Sequence, residues 1–286
     1  MPASSGSGWK ALGQSSATLL LTLAARAAAS QRVPELGLQD PLARRIAADC
    51  PLDLSAYSRD PGFVRGVVLR SLIFDQQARR HRQAGALGAV TLGAGLCTRW
   101  SRLPPVAGET AAHWLNVDLP DVIDLRRACL RPQEGGAVLA ASLTSDDWLD
   151  AAAWPAHSPL LVLMEGVSPY LPAGDTLGLL RRLAGHCLAR GRRAHLVLDY
   201  VHPALVQGPA AEVGGMRLPV VGGFAQAQAL LAAHPDIRLH SEHHPFARFS
   251  EGHAGFDAAF RAQHRAAPYA IACLDIGHHE SRPEPV

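Results

Sequence analysis

The chain has 286 residues, 48% of them hydrophobic and 18% charged, with a formal net charge of +2. That length and balance describe an ordinary globule with a sizeable core and exclude a mostly disordered chain. The weak charge, without Lys/Arg runs or a basic patch interleaved with aromatics, leaves no nucleic-acid partner expected.

Residues 1–15 are Ser/Gly-rich and read as a flexible N-terminus. Residues 17–25, ATLLLTLAA, resemble a short signal-peptide core, but Arg26 interrupts them and only Lys10 precedes them. The run is too short to span a bilayer, so an N-terminal helix over 16–30 and no membrane partner are expected. Asp40 and Pro41 form an N-cap and first helical position for a helix over 41–49. Pro61 opens a third helix, with Val64, Val67, Val68, Ser71 and Leu72 at helical spacing to about residue 84. Residues 16–84 are thus expected as a helical cap and 85–286 as the core.

Strands are predicted at 88–93, 112–118, 136–142, 159–165, 194–200, 237–243 and 269–275. Helices are predicted at about 97–103, 120–131, 174–190, 203–210, 223–234 and 254–265. Short apolar strands alternating with helices predict an α/β, doubly wound, Rossmann-like sheet, with no repeat and no second domain of comparable size. The five cysteines (Cys50, Cys97, Cys129, Cys187 and Cys273) are scattered without a CxxC pair. Neither a disulfide framework nor a zinc knuckle is expected, and a reducing cytoplasm is the expected setting.

The strongest functional signal follows the first strand. The run Ala89-Val90-Thr91-Leu92 feeds into Gly93-Ala94-Gly95, and Asp118 ends the next apolar run. A glycine turn lets a ligand touch backbone, and a strand-end carboxylate can accept from a ribose diol. A plain tight turn is the alternative reading of the glycines. A dinucleotide loop needs a third Gly or Ala where this chain has Thr98, followed by Arg99 and Arg102. A nucleoside without a diphosphate, such as S-adenosylmethionine, fits better, and no GxxxxGK[ST] P-loop is present. In such a sheet the ligand lies beyond the strands' carboxyl ends. That places Gly93 to Cys97, Asp118, Ser142 with Leu143, and Glu165 with Gly166 around it. Glu165 ends the apolar run Leu160–Met164, where a carboxylate needs a partner. A ligand ammonium, a helix cap or an arginine would each serve.

Five segments together resemble the leucine carboxyl methyltransferase family, in its bacterial, polyketide-type O-methyltransferase branch. They are Thr22-x-x-Ala25-Arg26-Ala27 with Asp40-Pro41-Leu42-Ala43, then Arg70-Ser71-x-x-Phe74-Asp75, then LGAGLCTRWSRL, VDLPDVIDLRR, and Glu165-Gly166-Val167-x-x-Tyr170-Leu171-Pro172. They span most of residues 22–172. The resemblance implies a seven-stranded class I methyltransferase sheet and S-adenosyl-L-methionine as methyl donor. It implies that Arg70 holds the donor's carboxylate, that Gly93, Ala94 and Gly95 pass its methionine part, and that Asp118 and Leu119 take the ribose end. Ser142 and Leu143 would meet the adenine, and Glu165 with Gly166 the ammonium. Arg70 as a solvated helix residue and Asp118 as an N-cap are the structural alternatives. Cys97 and Ser142 stand where the family has aspartates. They motivate an alternative function: a methyltransferase fold turned to a cyclase, a lyase or a non-catalytic pathway partner. Cys97 itself reads as a small buried loop residue before it reads as a nucleophile.

The expected reaction is O-methylation of a carboxylate or hydroxyl on a small, polyketide-like metabolite or a modified peptide, in bacterial secondary metabolism. Arg26, Tyr170 and Tyr200 are the candidate acceptor-site residues. Tyr170, His195, Asp199, Tyr200 and His202 all fall where an acceptor should sit, and none takes the role of base. The cap helices and residues 201–235 are expected to enclose the acceptor, the Val/Ala/Leu/Gly-rich stretch 213–232 forming an apolar wall. Fourteen histidines raise a metal site, but His240, His243, His244 and His253 lack a metal-ligand spacing, and an exposed edge strand accounts for them. No metal is expected.

Overall fold

Helices α1 (Leu19–Arg32), α2 (Pro41–Asp49) and α3 (Pro61–Gln83) precede the first strand in the computed structural model. The model describes residues 18–104, 106–152, 158–208, 212–213 and 215–277. The expected flexible segment 1–15, the start of the helix predicted over 16–30 and the end of that predicted over 203–210 lie outside the described residues. Asp40 caps α2 by accepting from the Ala43 amide at 3.0 Å, and Asp60 caps α3 by accepting from Gly62 at 2.8 Å. Each is followed by proline at the first helical position, and each cap stabilises its helix by about 1 kcal/mol. Val64, Val67, Val68 and Ser71 are buried on α3, as their spacing predicts, whereas Leu72 is only partly buried and Phe74 extends the buried stripe.

The strands are β1 (Gly88–Leu92), β2 (Trp114–Asp118), β3 (Ala137–Ala140), β4 (Leu160–Met164) and β5 (Arg193–Val201). A two-residue ribbon follows, β6 (Glu212–Val213) with β7 (Met216–Arg217), and then β8 (Ile237–His243) and β9 (Tyr269–Gly277). The main sheet has the order β3-β2-β1-β4-β5-β9-β8, with β9 antiparallel to both neighbours. All seven predicted strands are in it. The other long helices are α4 (Pro120–Cys129), α5 (Ala173–Ala189) and α6 (Glu251–His264).

Side-chain alternation divides the core into two layers. Val90, Leu92, Val162, Met164, Leu196 and Leu198 pack with Leu179, Leu180 and Leu183 of α5. Ala89, Leu161, Leu163, Val197, Tyr269 and Ile271 pack with Phe74 and Ala78 of α3. The helix predicted over 223–234 contracts to Gln228–Leu231. Ahead of it, Gly222 passes so close to the Leu171 carbonyl that a Cβ would sit 1.8 Å from its oxygen. The Phe224 amide donates to the Val201 carbonyl at 2.9 Å. This segment runs irregularly against the sheet, a tertiary demand that outweighs its helical pattern. The ribbon β6–β7 also lies in a stretch where only an apolar wall is predicted.

Candidate active site

The strand order reverses at β1, since β2 and β3 lie on one side and β4 and β5 on the other. Open sheets bind ligands in the crevice such a reversal creates. A cavity of about 330 Å³ lies there, at the carboxyl ends of β1, β2 and β4. The residues predicted to hold a cofactor (Arg70, Gly93, Ala94, Gly95, Asp118, Leu119, Ser142, Leu143, Glu165 and Gly166) all line it. Arg26 and Tyr170 line it too.

Gly93 adopts φ of +63°, and a Cβ there would fall 2.3 Å from Val167 Cγ2. Only glycine meets both conditions. The turn is tied down by Asp118, whose Oδ2 accepts from the Gly95 amide at 2.7 Å while Oδ1 accepts from Leu119 at 2.8 Å. Burial raises the Asp118 pKa, and these two amides oppose that rise. Leu119 beside it is 46% exposed despite being apolar. Ser142 directs its hydroxyl to Thr144, 2.7 Å away.

One wall of the cavity is a chain of alternating charges. Arg26 meets Asp40 at 2.8 Å, and Asp40 meets Arg102 at 2.9 Å. Arg102 meets Asp75 at 3.0 Å, and Asp75 meets Arg99 at 2.6 Å. Arg99 pairs with Glu165, Glu165 with Arg70 at 3.1 Å, and Arg70 with Asp199 at 3.4 Å. Thr98 joins the chain by donating to Asp40 at 2.6 Å. The residue that departs from a dinucleotide loop is thus what fastens the loop to α2. Glu165 also accepts from Ser71 at 3.0 Å. Burial would raise its pKa, but Arg99 and Arg70 overcome this and hold it well below the ordinary carboxylate range. Arginine, one of the partners considered for Glu165, is present twice.

Arg26, a candidate acceptor contact, is buried and directed to Asp40, Thr98 and the Leu96 carbonyl. Arg70 is not a solvated helix residue, because Glu165 and Asp199 hold it between the cap and the sheet. Cys97 accepts from Arg99 at 3.4 Å. Its carbonyl and that of Gly95 accept from Arg126 at 2.8 and 3.1 Å. Arg126 has no carboxylate partner among the described residues and is 1% exposed, so burial lowers its pKa to about 10.

A second cavity, of about 1010 Å³, lies between α3, the end of β5, residues 205–208, the ribbon β6–β7 with Leu218–Val220, and α6. Arg70 lines both cavities. Val213, Leu218, Pro219 and Val220 contribute an apolar side, as predicted for this stretch, and Phe63, Phe246, Phe249 and Phe256 add a ring-lined one. Tyr200 is corrected by the structure. It lines neither cavity, is 2% exposed, packs near Phe224 and donates to Glu242. The cause is strand alternation: on β5, Asp199 faces α3 and Tyr200 faces the α5 layer. Asp199 accepts from the Gly166 amide at 2.7 Å and from the Tyr269 hydroxyl at 2.9 Å. Reading β5 by parity from the buried Val197 would have separated Asp199 from Tyr200. Tyr269 and the phenylalanines after residue 245 carried no motif.

Among the described histidines, His253 lines the second cavity and the others line neither. His202 caps the turn Pro203–Gln207. β8 is the sheet's edge, as expected for its histidines. Among the described residues no group of three His, Cys, Asp or Glu side chains could hold a metal ion, and no helix is long and apolar enough to cross a membrane.

The strand order and the switch-point cavity define a Rossmann-like sheet of the class I methyltransferase type. The sequence pattern of the leucine carboxyl methyltransferase family matches residues 19–184, more than half of the chain, and the protein belongs to that family. It is 35% identical over 173 residues to the tetracenomycin polyketide synthesis O-methyltransferase TcmP of Streptomyces glaucescens, covering 59% of this chain and 61% of that protein. It is 30% identical over 195 residues to the S-adenosyl-L-methionine-dependent methyltransferase dpfgK of Gibberella zeae, covering 64% of each. A putative S-adenosyl-L-methionine-dependent methyltransferase of Mycobacterium bovis is 32% identical over 169 residues, covering 56% of this chain and 54% of that one. Each match spans less than two thirds of the relative's own length.

Proposed function

We propose that this protein is an S-adenosyl-L-methionine-dependent O-methyltransferase acting on a small apolar metabolite. The observation that carries the reading is the pair of cavities sharing Arg70, the smaller at the switch point with Arg26, Arg99, Arg102, Asp118 and Glu165 in its lining, the larger with four phenylalanines in its own. Family membership and the names of the relatives support it.

The residues of the smaller cavity fit the donor's parts. Asp118 holds backbone amides yet retains lone pairs for ribose hydroxyls. Leu119 leaves an apolar surface exposed beside it, suited to an adenine face. Arg70 uses Nε on Glu165 and Nη1 on Asp199, and among the described residues no acceptor meets Nη2, which leaves a donor for a carboxylate. Ser142, Leu143, Gly166 and the Gly93–Gly95 backbone complete the wall, and Glu165 orders Arg70 and Arg99 beside it. When bound, the donor would supply an electrophilic methyl group on sulfonium. The protein's part is to align an acceptor oxygen from the apolar cavity and exclude water, which speeds such a displacement without covalent help. Tyr170 lies within the first cavity, close enough to Arg70 to feel its charge.

Calorimetric titration with S-adenosylhomocysteine tests the reading. Saturable binding that weakens about 10- to 100-fold in Asp118→Ala is the expected result, and absence of binding to the intact protein would overturn it.

A further inference from the structure

The glycine turn is held from behind by a buried cation that meets no carboxylate among the described residues. Arg126, in the last turn of α4, is 1% exposed and lines neither cavity. Its Nη1 donates to the Gly95 carbonyl at 3.1 Å and to the Cys97 carbonyl at 2.8 Å. Its Nη2 donates to the Gly135 carbonyl at 2.8 Å, just ahead of β3. One guanidinium thus ties α4 to the turn after β1 and to the turn before β3. A Cβ on Gly135 would lie 3.2 Å from Nη2, so the bare glycine leaves room for this approach. Arg126 Nε is buried without a hydrogen-bond partner among the described residues.

A neutral side chain can tie carbonyls without the penalty of a buried charge. Asn116 does so next door, its amide donating to the carbonyls of Gly135 at 2.6 Å and Ala137 at 3.0 Å. The charge of Arg126 therefore calls for a use beyond fastening. Across the turn it faces Asp118, the strand-end carboxylate that opens into the donor cavity. Gly95 stands between the two: its amide donates to Asp118 Oδ2 at 2.7 Å while its carbonyl accepts from Arg126. Resting on the methyltransferase reading above, we propose that Arg126 is a positioning residue for the donor's ribose. It draws the Gly95 and Cys97 carbonyls away from the cavity, aims the Gly95 amide at Asp118, and so holds that carboxylate ready to accept from the ribose hydroxyls.

The groups facing Asp118 are the amides of Gly95 after β1 and of Leu119, with Asp121 and Arg126 from α4. Burial raises the Asp118 pKa and Asp121 adds to the rise, while the two amides and the charge of Arg126 oppose it. Burial also lowers the Arg126 pKa, to about 10, which leaves the guanidinium charged at neutral pH. Removing Arg126 takes away its charge and frees the Gly95 amide, so Asp118 would take up a proton at higher pH. A protonated carboxyl accepts more weakly from hydroxyls than a carboxylate does, and donor affinity then falls as pH falls. Lysine is no equivalent, because one ammonium on a flexible stem does not reproduce a planar fork that reaches carbonyls on two sides.

Calorimetric titration with S-adenosylhomocysteine at about pH 7.5 should find Arg126→Ala about 10- to 100-fold weaker than the intact protein. Millimolar methylguanidinium should occupy the vacated space and recover at least about 5-fold of the loss, whereas methylammonium should not. Between about pH 7.5 and pH 5 the affinity of Arg126→Ala should fall at least about 3-fold further than that of the intact protein, and Asp118→Asn, whose amide does not titrate, should remove the fall. Arg126→Lys keeps the charge and tests the clamp where the alanine variant does not fold. It should bind about 5-fold or more weakly while keeping the pH dependence of the intact protein. Affinity within about 2-fold of the intact protein in either Arg126 variant, no recovery with methylguanidinium, or an acid fall that survives in Asp118→Asn would each overturn the proposal. Failure of S-adenosylhomocysteine to bind the intact protein would instead remove the methyltransferase reading itself.

Discussion

The two cavities differ in what fixes the residues around them. The smaller is walled by charges that alternate from Arg26 to Asp199 and fasten helices α1 and α3, and the cap of α2, to the ends of the sheet. The larger is walled mainly by rings and aliphatic chains from four separate stretches. Charges in contact leave little freedom, because a buried ion whose partner is lost is far costlier than a methyl group without a neighbour. An apolar wall tolerates exchange of one large residue for another of similar volume. On the proposed function, the first cavity would take the methyl donor and the second the acceptor.

Breaking the charge chain at its centre should have the largest effect. Glu165→Leu leaves Arg70 and Arg99 buried, with Arg70 keeping only the 3.4 Å contact to Asp199. Loss of one partner from such a pair costs about 3–5 kcal/mol. Urea unfolding should show a loss of that order with an unchanged slope. A loss below about 1 kcal/mol would mean that solvent reaches these arginines and that the chain is no rigid wall.

Asp118→Ala addresses the first cavity without touching the ion pairs. It removes the carboxylate that accepts from Gly95 and Leu119, so affinity for S-adenosylhomocysteine should fall by about 10- to 100-fold, as for lost hydrogen bonds to a charged group. Affinity for hydroxypyrene, a flat apolar probe of the second cavity, should stay within about 2-fold, because that cavity is unchanged. Gly66→Leu reverses the test. A Cβ on Gly66 would already lie 2.9 Å from the Phe249 ring, and a larger side chain would fill the acceptor space. Hydroxypyrene binding should weaken by about 10-fold while S-adenosylhomocysteine binding holds, a loss comparable to misplacing one or two methylenes in an apolar pocket. If both ligands weaken together in either variant, the cavities are not independent.

How much of this was legible follows the same division. Gly93, Gly95 and Asp118 announce themselves because local backbone geometry and a strand end demand those residue types in a short span. Strands such as β3 and β4 were visible because short runs of consecutive apolar residues (AVLA, LLVLM) have few other uses in a chain this size, whereas β8 (IRLHSEH) shows only alternation. The partners of Glu165 were not assigned, since Arg70 and Arg99 reach it from 95 and 66 positions away. Tyr200 was read as an acceptor-site residue, but strand alternation turns it away from both cavities and into the α5 layer. The rings of the large cavity come from separate elements, and no spacing rule links Phe63 to Phe249 or Tyr269.

The far end of the sheet offers the weakest but cleanest contrast, because charge there is neither chained nor beside a cavity. His81 on α3 stacks on His195 of β5 with ring centroids 4.0 Å apart, and His195 meets Asp275 of β9 at 2.5 Å. Asp275 also accepts from His240 of β8 at 3.2 Å. Burial, reinforced by the charge of His195, lowers the His81 pKa to about 4 from 6.5. The folded state therefore prefers neutral His81, and the unfolded chain binds a proton first as pH falls. Its contribution is fully present above about pH 6.5 and is lost progressively toward pH 4, with a slope no steeper than about 1.4 kcal/mol per pH unit. Unfolding free energy should thus decline over that window, and His81→Gln should flatten the decline. S-adenosylhomocysteine affinity at neutral pH should not change in that variant, because His81 lines neither cavity. An undiminished decline in His81→Gln would assign the acid sensitivity to the carboxylates of the charge chain instead.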